Sequence, residues 1–267
     1  MKKIITAFFM AWGNFLTIPC PYKVWDNEEK NMMLAFLPSI GGVAGILWLG
    51  LAILLSVLRF PGILMAALLG FFIQLISGFM HLDGFMDVSD AVLSRRPLED
   101  RQRILKDSRV GAFAVISVAF LLILQFASLV TVVAGTFTFS GFAALAAIPV
   151  FSRAASGLMV LNLRPLSASQ YFDGHEKSKK GETIALLIQL AIYLGIAILI
   201  AYKWETYGTF GWSEVLRMGE IIGATFLGTI IACLYGRKQL DGMNGDIAGY
   251  GIAVGETIGL MVMALTL

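Results

Sequence analysis

Residues 110–135 read VGAFAVISVAFLLILQFASLVTVVAG, a run without one charged side chain. The run exceeds the roughly 20 apolar residues a helix needs to cross a bilayer, and it lacks the period-2 alternation of a strand. Six more apolar runs accompany it, at 32–58, 62–80, 138–163, 183–202, 214–236 and 247–267. Together they predict an all-α, polytopic helical membrane protein of about seven transmembrane helices, forming a single integral membrane domain over 1–267. Composition agrees. Of 267 residues, 58% are hydrophobic and only 14% charged, with a mean hydropathy of +0.80, which excludes an ordinary soluble globule and a disordered chain. Segment 1–31 opens with Lys2-Lys3 and an apolar stretch from Ile4 to Ile18 that imitates a secretory signal. No small-x-small cleavage site follows, so the segment is read as an N-terminal interfacial helix. Cys20 and Cys233 lie far apart and outside any CxxC or Cys/His cluster, so both are expected to be structural thiols.

The formal net charge is only +2, so no global field points to nucleic acid. Placement says more than the sum. The N-terminal segment and the connections 81–109, 164–182 and 237–246 hold 16 of the 20 basic residues. By the positive-inside rule this puts the N-terminus in the cytoplasm and the C-terminus outside, in the cytoplasmic membrane of a prokaryote, with lipid as the surrounding partner. Trp204, Tyr207 and Trp212 then fall in an outer aromatic belt. Fourteen of the 18 acidic residues share the cytoplasmic segments, although acids contribute little to orientation. The cytoplasmic face therefore uses carboxylates for something else.

The 81–109 connection begins His81-Leu82-Asp83-Gly84-Phe85-Met86-Asp87-Val88-Ser89-Asp90. On a helix Asp83, Asp87 and Asp90 are spaced i, i+4 and i+7, which stacks three carboxylates on one face. Their repulsion is relieved by a divalent cation, and hard oxygen donors without Cys or His point to Mg2+, which completes its shell with substrate phosphates. The predicted chemistry is a cytoplasm-facing site for a phosphorylated or pyrophosphorylated substrate; a solvated acidic turn is the plainer alternative. His81, beside the carboxylates, is a candidate base. Five basic residues follow, and then Asp107-Ser108-Arg109-x-Gly111. Arginine's planar fork suits phosphate oxygens, although Arg95, Arg96, Arg101 and Arg103 also serve topology and lipid headgroups.

Arg153 and Glu256 lie about ten residues inside their runs, roughly 15 Å deep at 1.5 Å per residue. Ionisable groups at that depth are functional candidates that want a partner, and the two are expected to share a polar cavity running inward from the metal site. Asn244-Gly245-Asp246 with Gly249, Gly251 and Gly255 opens the last run. Its glycines permit close backbone approach, and Asp246 could join the metal site.

The chain resembles the cobalamin synthase (adenosylcobinamide-GDP ribazoletransferase) family at Asn14-Phe15-Leu16-Thr17-Ile18-Pro19-Cys20-Pro21 and at Gly78-Phe79-Met80-His81-Leu82-Asp83-Gly84 with Asp87 and Asp90. The likeness continues at Lys106-Asp107-Ser108-Arg109-Val110-Gly111, at Ser152-Arg153, and from Gly245-Asp246 to Glu256. Departures are Ala91, where the family has Gly, and Met243-Asn244, where it has a glycine/threonine pair. The resemblance implies attack by a ribose hydroxyl of α-ribazole, or of its 5'-phosphate, on the cobinamide-linked phosphate of adenosylcobinamide-GDP, with release of GMP. It implies Asp83, Asp87 and Asp90 as catalytic magnesium ligands and an aspartate or His81 as proton acceptor. Asp107, Arg109, Arg153, Asp246 and Glu256 are then expected to bind substrate or phosphate. Another membrane phosphotransferase or prenyltransferase acting on a pyrophosphate-linked lipid shares the aspartate spacing, but Asp87 stands where the CDP-alcohol class has Ala. A transporter would use Arg153 and Glu256 as a coupling pair, yet the chain shows no internal repeat.

Overall fold

The computed structural model describes residues 2–135, 139–166, 180–204 and 212–266, and all regular structure within them is helical. Helices α1 (Lys2–Phe15), α2 (Lys30–Ala35) and α3 (Leu37–Val57) are followed by α4 (Gly62–Ile76), α5 (Met80–Leu93) and α6 (Leu98–Ile104). Then come α7 (Ala112–Ala134), α8 (Phe139–Asn162), α9 (Lys180–Trp204), α10 (Trp212–Leu240) and α11 (Gly245–Thr266). Among the described residues six helices, namely α3 and α7 to α11, are long and apolar enough to cross a membrane. The remaining run, 62–80, becomes α4 and then breaks, because α5 leaves it at 86°. We take α4 as the spanning segment and α5 as lying across the end of the bundle. The first run breaks at Phe36 into α2 and α3, and α10 carries Arg237 and Lys238 in its last turn, so the final connection shrinks to 241–244. Tyr207 of the expected aromatic belt and most of the 164–182 connection lie outside the described residues.

The most buried helix is α8. Its contact with α3 is backbone on backbone. A Cβ added at Gly41 would lie 2.3 Å from the Pro149 carbonyl oxygen, and one at Gly45 would lie 2.1 Å from that of Ala146. Glycine is therefore required there, by the close approach that small residues allow between membrane helices. Polar side chains tie the other helices. Gln74 of α4 donates to Gln125 of α7 at 3.1 Å, and Gln125 donates to Thr257 of α11 at 3.0 Å. Both glutamines are buried, and without each other they would leave unsatisfied amides in an apolar interior. Lipid-facing surface is apolar, for example Ile46, Ile123, Leu199 and Ile231.

Two local features aim α5. At its start Gly78 (φ +62°) and Phe79 (φ +60°) are both left-handed. The Phe79 N–H reaches back to the Gln74 carbonyl at 2.9 Å, closing the end of α4. Holding a phenylalanine there costs about 1–2 kcal/mol, so surrounding contacts must over-determine the elbow. Along its length α5 packs on the first turns of α11. A Cβ on Gly84 would meet the Asp246 carbonyl oxygen at 2.6 Å, and one on Gly249 would meet His81 Cα at 3.3 Å. The Phe85 and Tyr250 rings stack at 5.4 Å.

Candidate active site

The exposed side of α5 carries Asp83, Asp87 and Asp90 as one row. Opposite them the α6–α7 connection presents Lys106, Asp107, Ser108 and Arg109, and together they enclose a pocket of about 260 Å³. Asp90 reaches the far wall: a Cβ on Gly111 would fall 2.1 Å from Asp90 Oδ1, so only glycine leaves room for that carboxylate. Roof and wall are tied to the bundle by α6, where Gln102 donates to the Leu240 carbonyl at 2.8 Å and Arg101 bonds Gln239.

Asp246 flanks the row from the other side. Asn244 caps α11, accepting from the Ile247 N–H at 3.0 Å, while its amide donates to Asp246 Oδ2 at 2.6 Å. A single residue thus starts the helix and fixes its acid. Three carboxylates now lie in electrostatic range of Asp87. Burial, followed by Asp83, Asp246 and Asp90, pushes the Asp87 carboxyl up to about 7. No ion pair among the described residues involves Asp83, Asp87, Asp90 or Asp246. Arg109 does not turn toward the row; its guanidinium forks onto Asp107, with Nη2 2.7 Å and Nε 3.0 Å from the carboxylate. That fork holds Asp107 down at about 2. It also leaves the rest of the exposed guanidinium free for an anion.

An uncompensated acidic row made only of oxygen donors fits a hard divalent cation. Among the described residues no three His, Cys, Asp or Glu side chains close into a protein cage. A Mg2+ ion there would take one or two of these carboxylates and fill its other positions with water and phosphate.

The other expected residues form a second group. His81 is two positions before Asp83, about 200° around the helix, and is buried against the bundle rather than lining the pocket. Arg153 and Glu256 are buried deeper and pair directly, Nη1 to Oε1 at 2.6 Å, with Ser152 Oγ donating to the same oxygen at 3.1 Å. Arg153 Nη1 also donates to the Pro149 carbonyl at 3.2 Å, while its Nε and Nη2 have no partner among the described residues. The structure therefore joins Asp83, Asp87, Asp90, Asp107 and Arg109 in the pocket, with Asp246 beside them, and sets His81, Arg153 and Glu256 behind α5. Lys106, Asn244 and Gly111, named in the sequence only as parts of motifs, prove to be participants in the geometry: Lys106 lines the pocket, Asn244 fixes Asp246 and Gly111 makes room for Asp90. Asn244, directly before an apolar helical run, carried a legible capping signature.

Residues 7–264 match the family described as cobalamin-5-phosphate synthase. The chain is 37% identical over 268 residues to an adenosylcobinamide-GDP ribazoletransferase of Clostridium perfringens (strain SM101 / Type A), covering 99% of this chain and 100% of that protein. It is 31% identical to the protein of the same name from Clostridium botulinum (strain Alaska E43 / Type E3), covering 99% of each. It is 28% identical to that of Geobacillus thermodenitrificans (strain NG80-2), covering 97% and 95%. No solved structure matches.

Proposed function

The chain belongs to the cobalamin-5-phosphate synthase family, and from that membership we propose how its residues carry out the transfer. The activity is that of an adenosylcobinamide-GDP ribazoletransferase, moving the cobinamide phosphate of adenosylcobinamide-GDP to α-ribazole. The observation that carries the residue assignment is the row of Asp83, Asp87 and Asp90, without an ion pair among the described residues, lining one pocket with Lys106 and Arg109.

In this reading Asp83, Asp87 and Asp90 hold Mg2+, with Asp246 assisting from the start of α11. The bound cation supplies charge neutralisation for the pyrophosphate and its transition state. Lys106 and Arg109 bind the donor's phosphate oxygens, and Asp107 fixes the Arg109 fork so that its orientation is set before substrate arrives. The acceptor's ribose oxygen forms a bond to the cobinamide-linked phosphorus. The bond from that phosphorus to the bridging oxygen breaks, and GMP leaves with that oxygen. The hydroxyl proton passes to one of the row's carboxylates, because His81 faces the bundle interior. Arg153 and Glu256, paired with each other, act from behind by tying α8 to α11 and so holding Asp246 over Gly84. The charged end of the bundle faces the cytoplasm, where a water-soluble nucleotide product would be released.

The test is GMP release from adenosylcobinamide-GDP in membranes containing the chain, with and without α-ribazole and with and without Mg2+. Release that requires both acceptor and Mg2+ supports the reading. Release independent of Mg2+ would overturn the role given to the aspartate row.

A further inference from the structure

The N-terminal segment builds a second cleft that the aspartate site does not use. Its volume is about 630 Å³, within the range of pockets that take a small ligand. Gly13, Asn14, Thr17, Cys20, Lys23 and Trp25 are on its wall. The segment after α1 folds back over the helix: Trp12 Nε1 donates to the Ile18 carbonyl at 3.1 Å, and the Cys20 thiol donates to the Tyr22 carbonyl at 3.2 Å. Thr17 fastens this fold to the catalytic elbow. Its N–H donates to the Ile76 carbonyl at 2.9 Å, its hydroxyl to that of Leu75 at 3.1 Å, and its methyl lies 3.3 Å from where a Gly78 Cβ would be. The elbow leads directly into α5, whose first turn carries Asp83.

We propose that this cleft is the subsite for the acceptor, a planar aromatic nucleoside whose base lies on Trp25 and whose ribose points at the aspartate row. The proposal rests on the transfer reaction given above. In-line displacement needs an acceptor site separate from the leaving-group site yet within reach of the same phosphorus, and Thr17, on the wall of this cleft, touches the elbow from which α5 carries the aspartate row. The chemistry of each wall separates the substrates. The aspartate pocket has the acids and basic groups a metal-bound pyrophosphate wants, whereas the N-terminal cleft is largely apolar, with Phe9, Leu16, Ile18 and Val24 on its wall, and adds an indole 56% exposed, the Asn14 amide and a single cation. Base-on-indole stacking contributes sequence-tolerant affinity. Lys23 forms no ion pair among the described residues and is available to a 5'-phosphate.

The experiment is steady-state kinetics on membranes carrying the full chain, with α-ribazole and its 5'-phosphate as alternative acceptors. A Cβ at Gly13 meets only Cys20, at 3.7 Å, so Gly13→Leu fills the cleft without a backbone clash. It should raise KM for both acceptors by about tenfold or more and leave the donor KM within about twofold. Lys23→Ala should raise KM several-fold for the 5'-phosphate alone. The subsite is overturned if acceptor KM is unmoved in both variants, as a lipid occupant would give, or if the donor KM rises in parallel. Should Gly13→Leu fail to reach the membrane, Lys23→Ala and Asn14→Ala decide on the same criterion. A wild-type chain that turns over neither acceptor overturns the transfer reading instead, so the two failures are distinguishable.

Discussion

Asp87 carries the largest electrostatic burden in the pocket, being half-buried with three other carboxylates in range. Asp83→Asn and Asp87→Asn keep the side-chain shape and remove a charge, so each should lower GMP release by about a hundredfold or more while membrane abundance stays unchanged. The raised carboxyl also has a sign. An acid whose folded value is about 7 rather than the ordinary 3.8 lowers stability once pH passes about 4, because the unfolded chain ionises there and the folded chain does not, and the loss is complete by about pH 7. The metal-free protein in detergent should therefore lose thermal stability between about pH 4 and 7 and level off above that, and Mg2+ should restore it increasingly as pH rises. Asp87→Asn should flatten both trends, as read by melting curves with Mg2+ or a chelator. Arg153 and Glu256 follow a different rule. Both are fully buried, so Glu256→Ala strands a guanidinium and should destabilise by about 3–5 kcal/mol. Replacing both by Met should cost less than either single truncation, measured by thermal unfolding of the solubilised protein.

At the level of elements, the candidate site depends on how α5 is turned and what it rests on. Gly78→Val places a β-branched residue at φ +62° beside Thr17, which should loosen the elbow by about 2 kcal/mol and lower kcat. Gly84→Val drives a side chain into the Asp246 backbone. It should separate α5 from α11 and reduce activity at least as much as loss of Asp246 itself, visible as parallel losses in Gly84→Val and Asp246→Asn. These contacts mark the limit of what the sequence discloses. The row of Asp83, Asp87 and Asp90 follows from helical periodicity alone, and the turning away of His81 was equally implied by its two-residue offset. The 86° break was not legible, since an apolar run through Gly78 and Phe79 is compatible with a straight helix. Nor was the Gln74–Gln125–Thr257 chain, because an isolated glutamine in an apolar run does not name a partner fifty or more residues away. Gly41 and Gly45 were readable as a close-contact surface, but Pro149 and Ala146 as its other side needed the packed helices.

Across the whole molecule, charge and apolar surface are sorted to different places. The near-zero net charge hides a bundle whose acids and bases gather at one end, where α5, the end of α6, the α6–α7 connection and the first turn of α7 form the pocket and the start of α11 flanks it. Direction reverses with every crossing: α3 runs from the charged end to the Arg59 turn, α4 returns, and Trp48 of α3 donates to the Leu69 carbonyl of α4 at 2.9 Å to register the pair. The alternation makes the orientation testable with two positions. Phe60, in the turn after α3, and Arg96, in the connection after α5, are both exposed and stand at opposite ends. With Cys20 and Cys233 replaced by Ser, Phe60→Cys should react with a membrane-impermeant thiol reagent in intact cells, and Arg96→Cys should react only after the membrane is opened. The reverse pattern would put the aspartate pocket outside the cell, away from a cytoplasmic nucleotide donor, and would force a different account of how substrate reaches it.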